Sequence, residues 1–243
     1  MQNIIIATIK EWNISNYFKL KERYKDSYNF HLVTTKDELT KDYVEMLSPK
    51  YIFFPHWSWI IPKTIYANFE SIVFHMTDLP YGRGGSPFQN LIINGVYNTK
   101  ISALQVNDGL DTGDIYLKVN FNIAEGSAQE NFLALSNIIF EKMIPKFLNE
   151  TLVAFPQEGN IVQFKRRIPQ ESNIELLKNV SMNKLYDFIR MLDGEGYPKA
   201  FHQIENIKIE YFDVKRENGK LTGNFTILET KEKIMQKKGH NAK

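Results

Sequence analysis

VFHMTDLPYGRGGSPFQNLIINGVYNTKISALQVNDGLDTGDIY, residues 73–116, is the stretch on which both the fold and the chemistry of this chain turn. His75 ends an apolar run, Ser71–His75, that reads as a strand, and a Pro/Gly-rich loop follows it. Ser86–Asn94 then has Pro87 near a helix start and Gly95 as a stop. Residues 98–107 and 114–121 read as two more strands. They bracket a tight loop in which Gly109 and Gly113 space three carboxylates, Asp108, Asp111 and Asp114. Two short loops, each presenting a titratable group, predict one site assembled from two strand ends.

Upstream, strand and helix alternate at short spacing. Asn3–Thr8 is a β-branched run, residues 11–26 suit a helix, Phe30–Thr34 a strand, Lys36–Leu47 a helix and Tyr51–Pro55 a third strand. Pro62 suits the first turn of a short helix. Such alternation predicts βαβ units and a mostly parallel, Rossmann-like α/β sheet. Downstream, Ser127 and Glu130 form a capping box. It opens a long helix with Phe132, Leu135, Ile138, Ile139 and Met143 at helical spacing. Residues 150–180 are irregular, and Ser181–Leu192 reads as an amphipathic helix stopped by Gly194. From Phe201 the period becomes 2, and Asn218-Gly219 signals a hairpin whose returning strand is Asn224–Leu228. The expected organisation is a catalytic domain over 1–150 and a linker, helix and small β-hairpin subdomain over 151–243.

Composition narrows the partners. The chain has 243 residues, 30 basic against 28 acidic, so it offers no strong electrostatic case for nucleic acid or membrane. It has no cysteine, which excludes disulfide and thiolate chemistry, and its five histidines are too scattered to suggest a metal cage. The first apolar run is too short for a signal peptide and lacks a basic leader, and no stretch approaches a membrane span. A cytoplasmic protein without metal is the expectation. The tail, KEKIMQKKGHNAK, is basic and is assigned no function.

Several residues are candidates for a site. In open α/β sheets ligands bind beyond the strand ends, where His75 falls. A neutral imidazole is a natural proton acceptor near pH 7. A carboxylate such as Asp111 beside it would hold its tautomer and raise its basicity. Asp108 and Asp114 suit turn formation, since Asp bonds its own backbone in turns. Gly82–Pro87 (GRGGSP) could cradle an anion with Arg83, but it matches neither a P-loop nor a dinucleotide fingerprint; a loop shaping a pocket is the better reading. Phe54, His56, Trp57 and Trp59 could wall a planar heterocycle or simply pack under a helix. Arg166 and Arg167 could grip phosphates or form a solvated edge. Gly194–Phe201 (GEGYPKAF), with Tyr197, could contribute to a substrate site or only stop a helix.

His75, Leu79-Pro80, Arg83-Gly84 and Gly109–Asp114 follow in order and spacing a pattern that resembles the N10-formyltetrahydrofolate-dependent formyltransferases. Ile60–Pro62 before the fourth strand also fits, as do FKRRIP and DFIRMLDGEGYPKAF after the core. The resemblance covers roughly residues 50–205. It implies that His75 takes the proton from an attacking amine and that Asp111 orients and polarises it. It also implies that N10-formyltetrahydrofolate, the formyl donor, lies between the two loops. There it would be held by groups of Leu79, Pro80, Arg83, Gly84, Asp108, Gly109 and Leu110. The family's oxyanion-stabilising asparagine falls at position 73, where this chain has Val73. Losing such a donor typically costs about 3 kcal/mol. Gln89, Asn94, Gln105 and His56 are candidates for the missing role.

Length and the later segments are most similar to the nucleotide-sugar N-formyltransferases. That similarity implies a UDP- or dTDP-linked amino sugar as acceptor, in surface glycan synthesis, with Arg166, Arg167, Gln105 and Tyr197 on the substrate side. The altered form VFHMTDLP would suit a divergent branch, such as one acting in nonulosonic (pseudaminic-type) acid synthesis. Two other readings stay open: a methionyl-tRNA formyltransferase-like enzyme and an inactive folate-binding homologue. The hairpin at Asn218-Gly219 could close a homodimer edge or only finish the domain.

Overall fold

The computed structural model describes residues 1–230; the basic tail 231–243 lies outside the described residues. The chain divides into two compact units, Met1–Arg167 and a second from Ile168 onward. The first unit runs to Arg167, because residues 155–167 are bonded into it, as set out below.

The first unit is built on a six-stranded sheet. Its strands are β1 (Gln2–Ala7), β2 (Tyr28–Val33), β3 (Tyr51–Phe54), β4 (Ser71–His75), β6 (Asn98–Gln105) and β7 (Ile115–Asn122). The spatial order is β2-β1-β3-β4-β6-β7. A short strand β5 (Tyr81–Gly84) lies outside it and pairs in parallel with β8 (Val162–Phe164). The pairs β1–β2, β1–β3 and β3–β4 are parallel, whereas β4–β6 and β6–β7 are antiparallel. The expected mostly parallel α/β sheet is therefore present, with two antiparallel strands at one side.

Burial explains the order. The run Ile4-Ile5-Ile6-Ala7 has no exposure at all, as befits a strand covered on both faces. Helix α1 (Glu11–Arg23) lies between β1 and β2, α2 (Lys41–Leu47) and α3 (Lys63–Tyr66) flank β3, and α4 (Pro87–Ile93) leads to β6. Thr40 caps α2 by accepting from the Tyr43 amide. Pro62 stands at the cap of α3 rather than inside its first turn. Ser127 and Glu130 do form a reciprocal capping box, opening α5 (Ala128–Ile138). A five-residue π-helical stretch, Ile139–Met143, joins α5 to α6 (Ile144–Asn149). Phe147 of α6 packs on the rings of Tyr51, Phe53 and Tyr116.

The second unit has two 3₁₀ turns, α7 (Met182–Arg190) and an antiparallel meander of β9 (Ala200–Ile204), β10 (Ile207–Glu217) and β11 (Lys220–Glu229). The hairpin turn is Asn218-Gly219, both at positive φ (49° and 76°). The returning strand begins at Lys220, four residues before its expected start. β9 is a separate strand, because Glu205 turns the chain with φ 50°.

Candidate active site

His75 is the last residue of β4 and is 8% exposed. Its Nε2 lies 2.8 Å from the carbonyl oxygen of Gly82. A carbonyl can only accept, so Nε2 carries the proton of the neutral ring, and Nδ1 holds the open lone pair. That Nδ1 faces Asp111 Oδ2 at 3.5 Å, beyond ordinary hydrogen-bond length. Imidazole lone pair and carboxylate thus converge on one place without closing on each other.

Asp111 arrives there by an indirect route. In the antiparallel β4–β6 pair, His75 is opposite Ser102 and Ile72 is opposite Gln105. Gln105 thus lies roughly 10 Å down the strand from the level of His75. The loop after β6 leaves at that far end and must fold back to bring Asp111 to the imidazole. A Cβ on Gly113 would come within 1.8 Å of the Gln105 carbonyl oxygen, so the fold-back requires glycine. Asp111 itself sits in the left-handed region (φ 53°), which Asp tolerates better than most residues. The Gly84 amide donates to Asp111 Oδ2 at 2.9 Å. Gln157 Nε2 donates to the carbonyls of Asp111 (2.9 Å) and Gly113 (2.7 Å).

The outer part of the loop is anchored elsewhere. Lys63 Nζ and Tyr66 Oη of α3 donate to the Asp108 carboxylate at 2.9 and 2.5 Å. The Tyr66 hydrogen bond and then the Lys63 charge hold the Asp108 carboxyl below its usual range. Asn107 Oδ1 accepts from the Gly109 amide and from Thr112 Oγ1. Between these ties Leu110 is left 71% exposed. Asp108 is therefore engaged in fastening the loop to two side chains of α3, and Gly109 and Leu110 form its open tip.

The first signature loop supplies three successive groups: the Gly82 carbonyl to His75, the Arg83 guanidinium to Gln157 Oε1 (3.1 and 2.8 Å), and the Gly84 amide to Asp111. Gly84 has φ 105°, and a Cβ there would meet the Phe164 carbonyl oxygen at 2.4 Å. That approach follows from the β5–β8 pairing, which brings FKRR beside GRGGS. Gly85 N donates to Phe164 O (3.1 Å), Asn90 Nδ2 to Lys165 O (3.0 Å) and Arg167 N to Ser86 Oγ (3.1 Å). Arg83, Arg166 and Arg167 are thus carried on adjoining stretches. Neither Arg83 nor Arg166 forms an ion pair among the described residues. The Leu79-Pro80 peptide is cis. Lys118 Nζ holds Leu79 O (2.5 Å) and, with Lys100, the Asp78 carboxylate. Burial pushes the Asp78 carboxyl up, but the two ammonium groups outweigh it and leave it lowered.

Val73 packs against Leu79, Leu104 and Ile115, on the same face of β4 as His75. The groups considered as replacements for an asparagine there lie variously. Asn94 is exposed and donates to Asn90 O at the end of α4. Gln105 is exposed and its amide faces Glu70 Oε1 at 3.4 Å; its place at the far end of β4 separates it from His75. Gln89 is buried in α4. Tyr197, expected instead on the substrate side, belongs to the second unit, where its amide closes a turn on Gly194 O. His56 stacks edge-on against Trp12 and Phe132. Trp57 likewise meets Phe54 and Trp59 edge-on.

Burial, reinforced by Lys10, pushes His56 down to about 4. A histidine lowered in the folded state favours unfolding once it is protonated. Its contribution is therefore whole above about pH 6.5 and is lost as pH falls from there to about 4, by roughly 3 kcal/mol. His56→Asn tolerates the positive φ of 56° at this position and does not titrate. Urea unfolding between pH 7.5 and 4.5 should show a shallower loss of stability for it than for the wild type. Parallel curves would refute the assignment.

Gln157 was not singled out in the sequence. It lies in an irregular stretch, and a lone glutamine carries no spacing signal. Among the described residues no cluster of three His, Cys, Asp or Glu could hold a metal ion, and no helix is long and apolar enough to cross a membrane.

Comparison with known proteins gives this geometry a family. A model described as "Formyl transferase" matches residues 12–137, and one described as "Methionyl-tRNA formyltransferase, C-terminal domain" matches 169–228. A methionyl-tRNA formyltransferase of Campylobacter jejuni subsp. doylei is 25% identical over 83% of this chain. That alignment spans 66% of the relative's own length. A structure named as the methionyl-tRNA formyltransferase from Clostridium thermocellum is 49% identical, covers 94% of this chain and 100% of its own, and superposes with a TM-score of 0.91. A sugar N-formyltransferase from Shewanella shares the fold (TM-score 0.67, 14% identity) over 96% of this chain and 99% of its own. With more than half its length matched by the catalytic family model, and with His75 and Asp111 brought together by the two loops, this chain belongs to the formyl transferase family, a class of one-carbon transferases.

Proposed function

We propose that the protein transfers a formyl group from N10-formyltetrahydrofolate to the amine of a nucleotide-linked amino sugar, UDP- or dTDP-borne, for surface glycan synthesis. The observation that carries the transfer is the His75–Asp111 pair, with Nδ1 and a carboxylate oxygen 3.5 Å apart and open to one incoming group. The open loop tip, with apolar Leu110 exposed, suits a flat heterocycle. The donor supplies an activated formyl carbon. The amine forms its new C–N bond to that carbon as His75 Nδ1 takes one of its protons. The imidazolium so formed lies between the Gly82 carbonyl and the Asp111 carboxylate, both of which favour it. His75 then returns the proton to the N10 nitrogen as its bond to the formyl carbon breaks.

For the acceptor, Arg83 and Arg166 supply positive charge free of ion pairs on the stretch beside the pair, which suits a diphosphate. The whole chain is near balance, 30 basic against 28 acidic residues, which gives no strong electrostatic pull on a polyanionic RNA. Methionyl-tRNA remains the second reading, because the curated relatives and the 49% identical structure carry that name. The test incubates the protein and formyl donor with a panel of UDP- and dTDP-linked amino sugars, and separately with methionyl-tRNA, and weighs the products. A sugar that gains one formyl group supports the proposal. Formylation of the tRNA alone replaces it with the second reading. Folate binding without transfer to either acceptor makes Val73 the mark of an inactive homologue.

A further inference from the structure

We propose that Gln157 is a positioning residue of this site: its amide grips the backbone of the Asp111 loop and so sets the carboxylate against His75. The inference rests on the formyl-transfer reading, since it assigns a role within that reaction. A primary amide offers two N–H groups and one oxygen with two lone pairs, and all four positions are used here. The two N–H groups go to Asp111 O (2.9 Å) and Gly113 O (2.7 Å). The oxygen takes Nε (3.1 Å) and Nη2 (2.8 Å) of Arg83. Arg83 has no acceptor, so only the amide oxygen can face it, and the NH₂ group must then face the two carbonyls. No isosteric side chain does both: glutamate lacks the donors and methionine lacks everything but length.

The arrangement closes a ring. Gly84, next to Arg83, gives its amide to the Asp111 carboxylate, so one side chain ties the backbone of Asp111 to the stretch that holds its carboxylate. The tie also fixes a sparsely populated backbone, because Asp111 is held at φ 53°. Gln157 is itself fixed by its neighbours in sequence. Phe155 exchanges two backbone hydrogen bonds with Ile115 (2.8 and 3.0 Å), and Val162 N donates to Pro80 O (3.3 Å). The segment between these anchors therefore straps both signature loops.

Misplacing a reacting group by about 1 Å can cost 10²-fold in rate. Gln157→Met should lower kcat about 10–100-fold with KM for the amine changed far less. Gln157→Glu separates the two ends of the amide: it keeps an acceptor for Arg83 but sets a carboxylate against two carbonyls. It should fall as far as Gln157→Met. The Gly84 amide gives a readout that needs no substrate. Its proton NMR signal, downfield from the carboxylate bond, should move upfield in both variants. Wild-type kcat in Gln157→Glu overturns the proposal, as does a Gly84 signal unmoved in either folded variant. If the wild type formylates no acceptor, the formyl-transfer reading falls, while the Gly84 signal still decides whether Gln157 positions Asp111.

Discussion

His75→Ala is expected to lower kcat for formyl transfer by about 10²–10⁴-fold, the usual worth of a positioned general base. The argument is geometric. Nε2 is committed to the Gly82 carbonyl, so the lone pair on Nδ1 is the one open to the amine, and alanine supplies none. Because His75 is buried, alanine also leaves a small void, and a rate loss could then be blamed on packing. His75→Gln answers that: it fills similar volume and can still donate to Gly82 O, but cannot act as a base near neutral pH. The two variants should fall together in a single-turnover assay with the formylated product weighed. Full activity in either one would remove His75 from the chemistry.

Asp111→Asn should lower kcat over a similar range, about 10²–10⁴-fold, with the fold intact. Asparagine tolerates the left-handed backbone at 53° as well as aspartate does, so the loop keeps its path. Its amide oxygen can still accept from the Gly84 amide. That oxygen is also the atom that faces His75 Nδ1, so asparagine keeps the contact as a neutral amide and loses only the charge. The change thus removes the charge that favours the imidazolium. Rate measurements on Asp111→Asn beside a thermal melt would test this. A variant that melts and turns over like the wild type would sink the role given to Asp111. Its expected loss exceeds that of Gln157→Met, because Gln157 acts only through the place it gives Asp111.

Much of this was legible in the sequence, and for local reasons. The β-branched run at Ile4–Ile6, the capping box at Ser127 and Glu130, the stop at Gly95 and the turn at Asn218-Gly219 are signals within a few residues, and each appears where expected. His75 and Asp111 stood out because one ends a strand just before, and the other lies in, a loop of restricted composition. Gln105 and Asp108 show the opposite case. Both lie in the signature stretch, yet β6 carries Gln105 to the far end of β4, and Asp108 is taken up by Lys63 and Tyr66 of α3. Neither outcome can be read from spacing along the chain.

By itself the sequence determined the alternation of strands and helices and the two glycine loops, because these depend on periodicity, turn chemistry and residue type; the family resemblance alone implied the pairing of His75 with Asp111. Tertiary structure alone decided how that pair is assembled. The antiparallel pairing of β4 with β6 forces the loop to fold back. The β5–β8 pairing lays Arg83 beside the FKRR stretch. Gln157, 46 positions from Asp111 in the chain, is joined to it by a single hydrogen-bonded amide. Such contacts depend on which distant backbone groups lack partners once the strands have paired, and a local pattern of residues carries no record of that.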